Sequence, residues 1–289
     1  MVNNYSYNKI VISGNIAELY EYQYPLIKDI SRNKKGRANS NFTDERTKAE
    51  NRKNTQYLAR KEVTRLINSN AFLLNKFVTL TFAENLTDIK KANRLFKTFI
   101  QRFNYHLKKK NSTKLKYIAV IEFQKRGAIH YHLLCNAPYI QNSILNDIWG
   151  NGFVRINKID NVDNVGAYVT KYMNKDLSDE RLQGQKCYLT SKNLHKSIKI
   201  TDDNMISQLL PHFDIKREYK TNYTTEYNGD VVYTQYVLNH DIKHIHDIIY
   251  ERDNIDNFIY LYELPPKTQS FRKPFSKGLI AVQQTSFEL

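Results

Sequence analysis

Apolar residues along this chain recur at two spacings, and the switches between them mark its elements. In FVTLTF, residues 77 to 82, Phe77, Thr79 and Thr81 fall on one side and Val78, Leu80 and Phe82 on the other, which predicts a strand with one polar face. The period then lengthens. After the capping candidates Asn85 and Thr87, Ile89, Ala92, Leu95, Phe96, Phe99, Ile100, Phe103 and Leu107 keep three- and four-residue spacing, which predicts an amphipathic helix whose stripe needs a sheet to cover. That sheet is available in LKYIAVIEF (115 to 123) and AIHYHLLC (128 to 135), two strands joined around Gln124, Lys125, Arg126 and Gly127. A three-residue loop from Lys125 to Gly127, with Gly127 left-handed, would set Gln124 opposite Ala128, Glu122 opposite His130, and Val120 opposite His132.

Elsewhere the pattern predicts short strands at 7 to 13 and 16 to 22 around the turn pair Gly14-Asn15, a helix from about Thr43 to Asn68, and a strand at 153 to 159. VDNVGAYVTKYMNKDL, 162 to 177, reads as a helix. Asn228-Gly229 lies between two alternating runs and signals a hairpin, and 265 to 278 reads as an irregular basic tail. No internal repeat is found. These segments group as N-terminal strands with a basic helical arm (1 to 70), a central core (71 to 185), and a C-terminal basic extension with a hairpin (186 to 289).

Charge narrows the partners. The 289 residues carry 44 Lys and Arg against 29 Asp and Glu, a net charge of +15, and nucleic acid is the commonest polyanion for a protein so basic. The excess is concentrated: residues 28 to 65 hold twelve Lys or Arg against five Asp or Glu, beginning in the loop SRNKKGRANSN with Lys34, Lys35 and Arg37. This arm suits phosphate contact, and a solvated helix face is the alternative. The 21 tyrosines suit stacking on unpaired bases, although an AT-rich genome also favours Tyr, Lys, Asn and Ile. No apolar run approaches a membrane span and the N-terminus lacks a signal pattern, so a soluble cytoplasmic protein is expected, with no membrane partner. Cys135 and Cys187 form no C-x-x-C pair, which argues against a zinc ribbon.

The candidate chemistry begins with His130 and His132. Two imidazoles at i and i+2 on a strand point the same way and can grip one cation, and Glu122, opposite His130, offers a third, harder ligand. Such an open site suits a divalent ion, Mn2+ or Mg2+, that polarises a phosphate oxygen. Gln124 shares the face and can replace or assist Glu122, and a plain pair of hydrogen-bonded histidines is the other reading of H-x-H. A deaminase is disfavoured, because no H-x-E with P-C-x-x-C occurs. In AYVTKYMNK, Tyr168 and Tyr172 share a helix face, with Lys175 three residues further on. A phenol, with a pKa of about 10, needs its charge managed by neighbours before it can attack, and aromatic packing at a helix edge is the alternative role.

FVTLTF, HYHLL and YVTKYMNK arrive in an order that resembles the HUH endonuclease superfamily, in particular the rolling-circle replication initiators (Rep proteins) of phages and plasmids. The paired tyrosines and following lysine most resemble the bacteriophage gene A type. The run from LKYIAVIEFQKRGAIHYHLL to NVGAYVTKYMNKDLSDERL is similar to Rep proteins of low-GC Gram-positive hosts. The likeness covers about residues 75 to 185. It implies an α+β fold, a ferredoxin-like or RRM-like antiparallel sheet with helices on one face, carrying N- and C-terminal extensions. It also implies cleavage of single-stranded DNA through a covalent tyrosine link. His130 and His132 match the metal histidines, Glu122 the third ligand, Tyr168 and Tyr172 the nucleophiles, and Lys175 the motif lysine. Lys125 and Arg126 in the hairpin loop and Lys171 between the tyrosines join Lys34, Lys35 and Arg37 as candidate DNA contacts.

The expected partners are single-stranded DNA or an origin hairpin, together with a host polymerase. A host helicase is also expected, since no G-x-x-x-x-G-K-[ST] occurs. Relaxases fit less well, because their nucleophile precedes the histidine strand. Two other classes compete: a non-catalytic DNA-binding replication or copy-number regulator on the same fold, and an RNA-binding module, whose usual sheet motif is missing.

Overall fold

The computed structural model describes residues 5–27, 45–124, 126–158 and 188–239, without the side chains of 45–49, 52 and 158. Its elements in chain order are β1 (Tyr5–Ser13), β2 (Ile16–Ile27), α1 (Glu45–Asn68), β3 (Lys76–Phe82), α2 (Ile89–Lys109), β4 (Tyr117–Phe123), β5 (Ile129–Cys135), α3 (Asn142–Trp149), β6 (Gly152–Lys158), β7 (Tyr188–Thr190), β8 (Ile198–Ile200), α4 (Asp203–Leu209), β9 (Ile215–Thr225) and β10 (Gly229–Leu238). The strands form two antiparallel sheets, ordered β8-β1-β2-β10-β9 and β6-β3-β5-β4-β7. This is an α+β architecture of the HUH-like kind that the sequence predicts. The expected helix at 162 to 177 and the basic tail at 265 to 278 lie outside the described residues.

The chain divides into two compact units, and the division falls inside α1. One unit comprises residues 1–54 and 197–289, and its sheet joins strands from both ends of the sequence: β2 pairs with β10 from Val231↔Tyr22 to Val237↔Ile16. Ile10, Ile12, Ala17, Leu19 and Ile200 pack beneath Ile206 and Leu209 of α4. Asp203, in the first turn of α4, accepts from Ser6 Oγ (2.7 Å) and the Asn8 amide (2.9 Å), which ties the helix to β1. The hairpin signalled by Asn228-Gly229 forms with a loop of Glu226, Tyr227 and Asn228, so Gly229 is the first residue of β10 rather than part of a two-residue turn. Its φ of +64° is the left-handed geometry that closes a three-residue hairpin, and a Cβ there would strike the Gln23 side chain at 2.2 Å.

The second unit, residues 55–196, is built on the other sheet. The apolar stripe of α2 and the Trp149 side chain of α3 cover one face, where Val78, Leu80 and Phe82 of β3 meet Ala119, Ile121 and Phe123 of β4 and Ile129, Tyr131 and Leu133 of β5. Each such large side chain taken from water stabilises the fold by about 1.5–3 kcal/mol. Tyr131 stacks on Phe96 at 4.6 Å between centroids, and its hydroxyl donates to Asn93 Oδ1 (2.7 Å). The N-cap of α2 is Asp88, not Asn85 or Thr87. Its carboxylate accepts from the Lys90 and Lys91 amides at 2.8 and 3.1 Å, satisfying two donors that the first turn leaves without helical partners.

Among the described residues, the opposite face is covered only in part. Val63 and Ile67, from the last turns of α1, pack with Leu74 onto Phe77, Ile118, Val120 and Leu134. The arm expected to be a basic helix therefore ends in a core anchor. Asn70, just beyond it, donates to the His195 carbonyl (2.8 Å) and accepts from the His195 amide (2.9 Å), fastening the segment that follows β7.

Edge strand β6 is held hard against β3. Gly152 has a φ of +150°, and a Cβ on it would lie 2.2 Å from the Thr81 carbonyl oxygen and 2.5 Å from the Ala83 nitrogen. Both obstacles are backbone, so relief requires the two strands to part. Gly152→Ala is accordingly expected to destabilise the protein by about 1–3 kcal/mol, read as a lower urea midpoint at unchanged slope.

Candidate active site on the sheet face

Strand β5 is central, paired with β3 on one side and β4 on the other. Because side chains alternate along a strand, placing Ile129, Tyr131 and Leu133 under α2 sends His130, His132 and Leu134 to the far face. The β4–β5 hairpin has the predicted register: Glu122 faces His130, Val120 faces His132, and the Gln124 amide donates to the Ala128 carbonyl (2.8 Å). Gly127 closes the loop with a φ of +86°. On the other flank, Thr81 faces His130 and Thr79 faces His132.

The two imidazoles are buried, 9% exposed for His130 and 6% for His132, but their surroundings differ. Both ring nitrogens of His132 are engaged. Nε2 contacts Glu122 Oε2, and Nδ1 lies 3.2 Å from Thr79 Oγ1. Phe77 stacks beneath the ring at 5.5 Å, with planes 16° apart. One consistent assignment has the Thr79 hydroxyl donating to Nδ1 while Nε2–H donates to the carboxylate. His130 Nε2 is buried with no hydrogen-bond partner among the described residues. A buried nitrogen left without a partner costs about 1–3 kcal/mol.

Electrostatics set His130 apart as well. Its pKa is lowered from the ordinary imidazole value, first by burial, then by His132 and Arg126, with Glu122 pulling the other way. A neutral imidazole with an available lone pair is the state that a cation requires. Glu122 keeps a 28% exposed side chain, open enough to change partners.

Of the other predicted site residues, Arg126 is exposed at the hairpin tip, and its Nε donates to Gln124 Oε1 (2.9 Å). The Gln124 oxygen is thus taken, and of the two candidate third ligands Glu122 is the one that touches a histidine. Among the described residues no three His, Cys, Asp or Glu side chains are gathered as a metal cluster. Tyr168, Tyr172, Lys175, Lys171, Lys125, Lys34, Lys35 and Arg37 lie outside the described residues. Sequence reasoning missed Thr79 and Phe77 as supports of His132. The signal is present in FVTLTF, whose alternation puts Phe77, Thr79 and Thr81 on one side of a strand.

The lowered pKa of His130 has a definite sign. The folded value lies below the unfolded one, so the unfolded chain takes up a proton first as pH drops below about 6.5. The residue is neutral in its effect on stability above that pH and destabilises the fold as pH falls toward the folded value. The His130 Cε1 proton of chelator-treated protein should therefore titrate with a midpoint below 6.5 by NMR, and a midpoint at or above 6.5 would contradict the burial described here.

Residues 75–177 match the family model of the replication-associated protein, ORF2/gene II protein type. The match begins just before β3, runs through the histidine strand and α3, and extends past β6 to include Tyr168, Tyr172 and Lys175. No curated protein and no solved structure matches the chain. No helix among the described residues is long and apolar enough to cross a membrane. The family match, which spans less than half of the chain, supports a replication initiator with DNA as its partner.

Proposed function

We propose that this protein is an endonuclease and strand transferase of the HUH type, which nicks single-stranded DNA at an origin and starts rolling-circle replication. The observation that carries this reading is the buried Nε2 of His130, without a partner among the described residues, beside the Glu122–His132 contact and inside a segment that matches a replication-associated family. A divalent ion, Mn2+ or Mg2+, would be held by Glu122, His130 and His132. The donor types fit, and His130 offers a free nitrogen, while Glu122 would have to turn from His132 to share the ion. Bound there, such an ion would withdraw charge from a phosphate oxygen.

The chain's own residues supply the rest. Thr79 Oγ1, 3.2 Å from Nδ1, fixes the plane of the His132 ring and would accept from an Nδ1–H if Nε2 were a ligand. Tyr168 or Tyr172 attacks the scissile phosphorus through its phenolic oxygen. The new O–P bond replaces the bond to the 3′ oxygen, which leaves as a 3′-hydroxyl carrying the proton that the phenol gave up. The 5′-phosphotyrosyl ester keeps the energy of the broken bond, so rejoining needs no nucleotide cofactor. Lys175 offsets the phenolate charge. The second tyrosine repeats the attack after one round of synthesis and circularises the displaced strand. Host polymerase extends the 3′-hydroxyl, and a host helicase opens the duplex in a bacterial cytoplasm. A DNA-binding regulator without chemistry is the competing reading, and it predicts binding without covalent attachment.

Purified protein mixed with Mn2+ and an oligonucleotide carrying the origin strand should give a covalent adduct that survives denaturing gel electrophoresis and is abolished by chelator. Tyr168→Phe/Tyr172→Phe should form none, and His130→Ala/His132→Ala should lose at least about a hundredfold in rate. An adduct undiminished in the double phenylalanine variant would place the nucleophile elsewhere. Thr79→Val, which keeps shape but removes the hydroxyl, should weaken Mn2+ binding about tenfold by titration calorimetry.

A further inference from the structure

Cross-strand registers place the histidine-face residues in two rows. One runs Glu122, His130, Thr81, Phe153 across β4, β5, β3 and β6, and the next runs Val120, His132, Thr79, Arg155. Directly paired residues on antiparallel strands share a face, so Phe153 and Arg155 look out from the same side of the sheet as the histidines. Phe153 lies two strand spacings, roughly 10 Å, from His130. It is 70% exposed, whereas its neighbour Val154 points the other way and is buried at 6%. Arg155 is exposed too.

We propose that Phe153 and Arg155 form a nucleotide-binding rim, in which the Phe153 ring stacks on an unpaired base beside the phosphate presented to His130, and Arg155 holds a backbone phosphate. The inference rests on the single-strand DNA reading above and assigns that substrate a subsite. A lone exposed phenylalanine is unremarkable, but this one has three further properties. It shares a row with the His130 imidazole, a cation follows it two residues later on the same face, and its backbone is tied to both β3 and α3.

The fixing is explicit. Gly152 has no room for a side chain against β3, and the Ala83 amide donates to the Asn151 carbonyl (2.9 Å). Asn146 Oδ1 accepts from the Val154 amide (2.8 Å), and the Trp149 indole donates to the Thr81 carbonyl (3.0 Å). The ring is thus held out to solvent on a strand tied down by backbone and side-chain hydrogen bonds, and a pre-organised aromatic platform loses little entropy when a base settles on it. A nucleobase suits this surface better than an apolar protein partner. The rim pairs one ring with a guanidinium in a chain of net charge +15, and base stacking beside phosphate contact uses both groups.

The test is binding, measured on the full chain in chelator so that no adduct forms. Fluorescence anisotropy with a labelled single-stranded thymidine oligonucleotide should show Phe153→Ala weakened roughly ten- to hundredfold, Phe153→Leu not restoring affinity, and Phe153→Trp retaining it. The emission of the Phe153→Trp variant should be quenched on saturation, and Arg155→Gln should reduce the log–log salt slope by about 0.7. A duplex of matching sequence, whose bases are already stacked, should bind independently of residue 153. Affinity unchanged in Phe153→Ala, Trp emission indifferent to the oligonucleotide, or no binding by the unaltered protein each overturns the rim. A parallel adduct assay with Mn2+ separates the two ideas: quenching without any adduct would leave the rim and sink the nuclease, and an adduct with indifferent Phe153 variants would do the reverse.

Discussion

Burial of Ile129, Tyr131 and Leu133 under α2 is the constraint on which the site depends. With a side-chain period of two, filling that face decides where His130 and His132 point, and a slip of one residue would drive both imidazoles into the apolar core and expose the stack of Tyr131 on Phe96. The slip would also leave the Tyr131 hydroxyl without Asn93. Register is therefore specified by the core rather than by the site, and the three-residue loop ending at Gly127 fixes it again from the other side by setting Glu122 opposite His130. Two independent devices agree on one alignment, so the polar residues need supply none of the folding energy that their alignment requires.

The histidine face is divided by how far α1 reaches. Val63 and Ile67 seal the middle of the row that contains Phe77, Leu134 and Ile118, which is apolar there and ends in Asn157 and Thr190. Beyond the seal, polar groups take over and the accounting of hydrogen bonds becomes the governing question. His132 is satisfied on both nitrogens and stacked by Phe77, so it is held in one orientation. His130 is not satisfied at Nε2, and burial has already pushed it toward the neutral form. One ring is thus held by partners on both nitrogens, and the other keeps a buried nitrogen without one among the described residues.

Much of this was legible in the sequence because it is carried by period. The alternation in FVTLTF, the apolar stripe of α2 and the loop geometry of the β4–β5 hairpin specify the central sheet and its histidine register from local pattern alone. What was not legible depends on contacts between distant segments. Nothing in the local pattern of residues 16 to 22 announces a partner at 231 to 237, yet β2 and β10 are neighbours in one sheet. The apolar positions Val63 and Ile67 sit in a stretch dominated by charge, so an anchor read as an arm. Asp88 was passed over as the cap of α2 because Asn85 and Thr87 carry equally good capping chemistry, and only the backbone geometry decides which side chain reaches two free amides. Thr79 was placed on the right face, but a hydroxyl's service to a histidine 53 residues away is visible only once the strands are paired.

The same pairing lines up different side-chain types along one direction of the sheet. A row that starts at the acid, passes through the imidazole and a threonine, and ends at an exposed ring puts polar and apolar groups at different strands rather than at different loops. Strands joined by backbone hydrogen bonds hold such spacings to within fractions of an ångström, and loops do not. Gly152 makes this possible at the edge, since any larger residue there would push β6 from β3 and carry the ring away with it. The outer strand β6 is thereby tied to β3 through its backbone and to α3 through Asn146, and the spacing between the two ends of the row is set by strand pairing.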